Sequence, residues 1–155
     1  MPAADSIFPE FGAFESEYRK GKPQFVWTKR VADLETPVSA LLKLREKGKP
    51  CFLLESVEGG EVRGRYSIIG LAPDLVWECR GKKALVTPTE KFPSSDDPIA
   101  SLQSLLDSMK MDIPEGLPPM AGSMIGYAGF NMIKLVEKLP NENPDNIGIP
   151  DASFL

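Results

Sequence analysis

Residues 51–70 read Cys-Phe-Leu-Leu-Glu-Ser-Val-Glu-Gly-Gly-Glu-Val-Arg-Gly-Arg-Tyr-Ser-Ile-Ile-Gly. An apolar core, Phe52-Leu53-Leu54, runs into two polar residues, Glu55 and Ser56, so the stretch opens as a short strand. A Gly-Gly turn signal and a charged segment follow, and Tyr66 to Ile69 returns as a second strand. Side chains alternate along a strand, so Leu54 and Ser56 share one face while Leu53 and Glu55 share the other. A hydroxyl beside an apolar neighbour at a strand end suits a small amphipathic ligand with a polar head. The residues alone equally allow a core strand whose last two positions reach solvent, the commoner fate of polar residues there.

The turn can be tested by register. A two-residue loop at Gly59-Gly60 would set Ser56 opposite Arg63 and Leu54 opposite Arg65. The same register opposes Glu58 and Glu61, a like-charge pair that costs stability. A longer loop over 57–64 is therefore expected, with Arg65 on the returning strand. Arg63 and Arg65 are expected to make surface ion pairs with Glu55 or Glu58 rather than ligand contacts.

The 155-residue chain is long enough for a hydrophobic core, and its 42% apolar content is ordinary for a globular domain. A net charge of −4 gives no basic footprint for nucleic acid or an anionic membrane. No apolar run approaches membrane-spanning length and no signal-peptide pattern opens the chain, so cytoplasm is the expected compartment. Cys51 and Cys79 sit in apolar strand contexts and are expected to be buried free thiols. Cys-x-x-Cys spacing is absent, and so is histidine. That removes Ser–His and Cys–His pairs, imidazole metal ligands, and any side chain titrating unperturbed near neutrality. The segment alone is expected to be inactive.

Taken in order, Pro9 to Lys20 predicts a helix with Phe11, Phe14 and Tyr18 as a core-facing stripe and Gly21 as its stop. Gln24–Thr28 has β character. Thr36-Pro37 starts a helix through Lys47, with Val38, Leu41, Leu42 and Arg45 on one face. Leu75–Cys79 and Ala84–Val86 read as strands joined by a tight turn at Arg80-Gly81-Lys82. Asp97-Pro98 repeats the cap-plus-proline start, with Ile99, Leu102, Leu106 and Met109 as its stripe. Met120 to Phe130 carries Gly122, Gly126 and Gly129 at the wrong spacing for a phosphate fingerprint. Close backbone approach in a central strand, crossed by another layer, is the reading. Asn131–Lys138 has helical character, Asn141–Pro150 is turn-rich, and Ser153-Phe154-Leu155 resembles an opening strand.

Leu53-Leu54-Glu55-Ser56 followed by Arg65-Tyr66-Ser67-Ile68-Ile69-Gly70 resembles the N-terminal segment of anthranilate synthase component I. Gly126-Tyr127-Ala128-Gly129-Phe130 with Glu137-Lys138-Leu139-Pro140, and then Ile149-Pro150-Asp151-Ala152, resemble that segment's second and third blocks. The blocks occur in the family's order from about residue 9 onward. The resemblance implies an α+β fold, with largely antiparallel sheets and packed helices, and residues 1–155 as one N-terminal regulatory segment. It implies a parent enzyme converting chorismate and ammonia to anthranilate and pyruvate with magnesium, its ligands and catalytic residues lying in a C-terminal portion outside this sequence. A glutamine amidotransferase partner would supply the ammonia. Ser56, with Glu55 and Leu54, inherits tryptophan binding for feedback inhibition. Family members commonly carry Gly-Tyr-Asp where Gly129-Phe130-Asn131 stands, which puts a salt bridge from position 131 to Lys134 in doubt.

Three other readings share these residues. The sister family of aminodeoxychorismate synthase component I has the same fold, though Leu-Leu-Glu-Ser favours the first assignment. A stand-alone amino-acid-binding module and a purely structural buttress are the non-catalytic readings. If the strand at 153–155 lacks its partners, an unpaired edge and an apolar patch should make the piece self-associate weakly.

Overall fold

A computed structural model describes residues 6–55, 66–140 and 144–155. The chain divides into two compact units, residues 1–73 and 74–155. Helices and antiparallel sheets alternate along it, so the fold is α+β as expected.

The first unit is built from short elements. β1 (Ile7–Phe8) pairs antiparallel with β2 (Trp27–Thr28), and the Phe8 and Trp27 rings stack with centroids 4.6 Å apart. Between them, α1 (Phe11–Tyr18) starts two residues after Pro9 and ends before Gly21, whose φ of 70° turns the chain out of the helix. Its aromatic stripe is not core: Phe11 is 74% and Tyr18 67% exposed, because no layer among the described residues covers that face. α2 (Pro37–Leu44) starts as its sequence dictates. Thr36 Oγ1 accepts from the Ser39 amide and Ser39 Oγ accepts from the Thr36 amide, a reciprocal cap with Pro37 at the first helical position. The helix stops at Leu44, short of Lys47, where Arg45 turns extended. Of the expected face, Leu41 is half-buried while Val38 and Leu42 stay exposed.

β3 (Cys51–Glu55) and β4 (Ser67–Leu71) form an antiparallel ribbon. Its register sets Leu54 opposite Ile68 and Glu55 opposite Ser67. A two-residue loop would instead have set Leu54 opposite Arg65; the loop residues themselves lie outside the described residues. Cys51 is exposed rather than buried, because it sits at the ribbon's open end. No described residue of this unit is buried.

The second unit carries the core. β5 (Val76–Arg80) and β6 (Lys83–Thr87) make a hairpin closed by Gly81-Lys82, with Gly81 at φ 58°. β7 (Gly126–Ala128) and β8 (Ala152–Phe154) complete a four-stranded sheet in the order β6-β5-β8-β7. β8 therefore has a neighbour on each side, and the unpaired edge expected there is filled by β5 and β7. β7 lies at the margin of this sheet, not its centre. The glycine reading itself holds: a Cβ on Gly126 would meet the Ser153 carbonyl oxygen at 1.9 Å and Phe154 Cα at 2.7 Å. The close approach comes from the adjoining strand instead of a second layer.

α3 (Pro98–Ser108) is capped by Asp97, whose carboxylate accepts from the Ala100 amide at 3.0 Å. Its buried face is Pro98, Ser101 and Leu105, flanked by Leu102 and Met109, while Ile99 is 49% and Leu106 42% exposed. The helix is thus rotated from the orientation its apolar spacing predicts. Trp77 supplies the reason. Its indole is fully buried, its N–H needs an acceptor, and Ser101 Oγ accepts it at 3.1 Å. Cys79, Ala84, Val86, Leu105 and Ala152 close the rest of the core.

Two carboxylates fasten the loop before β8. Asp145 accepts from the amides of Ile147 and Gly148 at 3.0 and 2.9 Å, and Asp151 accepts from the Gly81 amide at 2.7 Å. Arg80 donates to the Gly148 carbonyl at 2.9 Å. The Gly148 and Ile147 amides, and then the charges of Arg80 and Lys134, hold the Asp145 carboxyl below the usual aspartate range.

Ser101→Ala leaves the buried indole N–H without its partner and should destabilise the chain by about 1–3 kcal/mol in urea unfolding; an unchanged midpoint would show that the N–H finds another acceptor. Because Asp145 is depressed on folding, its contribution is present above the unfolded aspartate pKa and is lost as pH falls through the folded value. Carboxyl NMR should place its midpoint below the ordinary aspartate value; a midpoint at that value would contradict the loop geometry.

Candidate functional site

The alternation of β3 decides what its end can present. Phe52 and Leu54 point to one face and Leu53 and Glu55 to the other, so the two described site residues are neighbours in chain but not on one face. Leu54 is 42% exposed and Glu55 is exposed. This end of the ribbon offers an apolar surface and a carboxylate within one residue's rise. It can bind, by apolar contact and by charge. Among its described residues there is no nucleophile–base pair. Ser56, Arg63 and Arg65, and with them the ion pairs expected of the arginines, lie outside the described residues.

The ribbon is fixed near its open end by Phe52 and Gly70, which are cross-strand partners. The Phe52 ring occupies the space a Gly70 side chain would take: a Cβ there would lie 2.0 Å from Cε1. α2 packs against both strands.

In the second unit, the remaining motif residues have structural work. The Tyr127 hydroxyl donates to the Pro150 carbonyl at 2.9 Å, and the Gly129 amide donates to the Asp151 carbonyl at 2.7 Å. The Asp151 amide donates to Cys79 O at 2.8 Å. Blocks 126–130 and 149–152, distant in sequence, are therefore adjacent strands and their flanks. Burial, and then the Asp151 charge, push the Cys79 thiol above its ordinary pKa, so it stays protonated and inert.

A hollow of about 900 Å³ opens beside this clasp, lined by Gly81, Lys82, Asn131, Lys134, Lys138 and Asp145 among others. Asn131 and Lys134 belong to a 3₁₀ turn at Phe130–Leu135, where the sequence suggested helix. Both line one hollow, and Lys134 contributes to the field at Asp145. Sequence reasoning missed Asp145, and named Asp151 only as a member of its motif block. The signal was present, since Asp145-x-x-Gly148 is an aspartate turn pattern inside a stretch read only as turn-rich. Among the described residues, no group of three or more His, Cys, Asp or Glu side chains is placed to hold a metal ion. Among the described residues, no helix is long and apolar enough to cross a membrane.

A scan against models of known protein families matches none of them. Individual relatives are clear. Anthranilate synthase component 1 of Cereibacter sphaeroides is 43% identical over 151 residues, covering 94% of this chain and 30% of that protein. The protein of the same name from Mycolicibacterium smegmatis is 36% identical over 148 residues, covering 94% of this chain and 28% of its own length. That from Thermus thermophilus is 38% identical over 125 residues, or 81% of the chain and 26% of the relative. The chain thus spans less than a third of the length of the curated relatives it matches. Nearly its whole length is accounted for by one kind of protein, and it belongs to the anthranilate synthase component 1 family, as an N-terminal segment.

Proposed function

We propose that this segment serves a full-length anthranilate synthase, a lyase of tryptophan biosynthesis, as part of its tryptophan feedback site. The observation that carries the reading is the 43% identity to a protein of that name in a match covering 94% of the chain, beside the Leu53-Leu54-Glu55-Ser56 motif of the sequence. The parent reaction joins ammonia to chorismate and releases pyruvate and water to leave anthranilate. Chorismate, magnesium and the acid–base groups belong to the portion of the enzyme outside this chain, and ammonia to a glutamine amidotransferase partner. Such an enzyme works in the cytoplasm.

The local chemistry is that of recognition. Leu54 gives the indole an apolar surface, and Ser56, next but one in sequence, gives a hydroxyl to the polar head. Glu55, on the other face at the strand end, is the one carboxylate of the three and acts on the ligand's ammonium group through its charge. Inhibition requires that tryptophan bind one arrangement of the enzyme better than another, and the coupling is reciprocal: chorismate must weaken tryptophan by the same factor.

Calorimetry on the full-length enzyme tests the reading. Tryptophan should bind, and Ser56→Ala should weaken it by about tenfold or more, the loss expected for one hydrogen bond to a charged ligand. Absence of heat with the full-length enzyme, or an unchanged affinity in Ser56→Ala, would favour a purely structural segment.

A further inference from the structure

The β3–β4 ribbon has little to fix its register except one pair. Leu53 and Leu54 face Ile69 and Ile68, all aliphatic and of similar volume, so sliding the strands by one place costs little in those contacts. No described residue of the unit is buried to resist the slip. Phe52 is different. Its ring lies across Gly70, with Cε1 at 2.0 Å and Cζ at 2.3 Å from where a Cβ would be. Every other residue of β4 has a side chain in the corresponding position, so the ring has one place to lie. A slip of one residue would set it against Ile69 or Leu71. It would also turn Leu54 and Glu55 to the opposite faces of the ribbon.

We propose that Phe52 and Gly70 are positioning residues of the ligand site. They hold the register that delivers Leu54 to one face of the ribbon and Glu55 to the other, two residues beyond the ring and at its end. The proposal rests on the tryptophan reading given above. Gly70 is needed for the space it leaves, not for a turn. Any side chain there should displace the ring and misaim the strand end without touching the ligand.

The test uses the full-length enzyme and two independent readouts. Native Cys51 is exposed and pairs across the ribbon with Leu71. Cross-strand Cα separations fall within the range a disulfide spans, so Leu71→Cys reports register by oxidative crosslinking to Cys51, detected by peptide mass spectrometry. Calorimetry reports tryptophan affinity, at a temperature where circular dichroism shows every variant folded. Gly70→Ala should weaken tryptophan by about tenfold or more and lower the crosslink yield. The exchange Phe52→Gly/Gly70→Phe, which moves the ring to the other strand and keeps the register, should restore both. Gly70→Ala with wild-type affinity and crosslinking overturns the proposal, as does a folded exchange variant that restores neither. Wild-type enzyme that gives no heat with tryptophan removes the ligand reading, and the positioning role with it. Heat that Gly70→Ala leaves unchanged removes the positioning role alone.

Discussion

The buried indole of Trp77 sets the arrangement of the second unit. A fully buried N–H demands an acceptor, and the demand is met by a serine on α3. That one requirement rotates the helix, brings Pro98 and Leu105 down with Ser101, and leaves Ile99 and Leu106 outward. The sheet beneath is equally constrained. β8 fits between β5 and β7 only because Gly126 lets the Ser153 carbonyl and the Phe154 backbone come close. Its entrance is then held by Asp151, whose amide, carbonyl and carboxylate engage Cys79, Gly129 and Gly81 in turn.

The first unit follows another rule. Two-residue strands, eight-residue helices and a five-residue ribbon are each marginal in isolation. Here none of them buries a described residue completely. What orders them is local: a reciprocal cap at Thr36 and Ser39, an aromatic stack at Phe8 and Trp27, and a ring over a glycine at Phe52 and Gly70. A surface with so much apolar area remaining suits a segment of a larger protein. A ribbon held by register is also well suited to presenting a ligand contact, because the residues at its end are aimed without being packed.

Much of this was legible from residues alone, for identifiable reasons. Cap-plus-proline starts at Thr36-Pro37 and Asp97-Pro98 are local chemistry, and both helices begin there. The Gly81-Lys82 hairpin is likewise a matter of backbone freedom. Periodicity failed where a polar residue had a buried task, as at Ser101, and where an aromatic stripe had nothing to cover it, as at Phe11 and Tyr18. Strand order could not be read, since β7 and β8 are separated by a 3₁₀ turn and a loop. Gly126 and Gly129 were correctly read as points of close approach, but not which strand approached, and Gly122 lies in a 3₁₀ turn instead of the strand. At the candidate site, the sequence placed Leu54 and Glu55 on opposite faces, and register did the rest. The register itself depends on a glycine whose role appears only when the ring above it is seen.

Cohesion resides around Trp77, while the ribbon bearing Leu54 and Glu55 is held by its register and by α2, with no described residue fully buried. Native-state amide hydrogen exchange on the chain tests it most directly. The paired amides of Trp77, Cys79 and Ser153 should exchange slowest, and those of Leu54, Ile68 and Gly70 markedly faster, in a separate opening event. Equal protection across both groups, lost together in one cooperative transition, would contradict it.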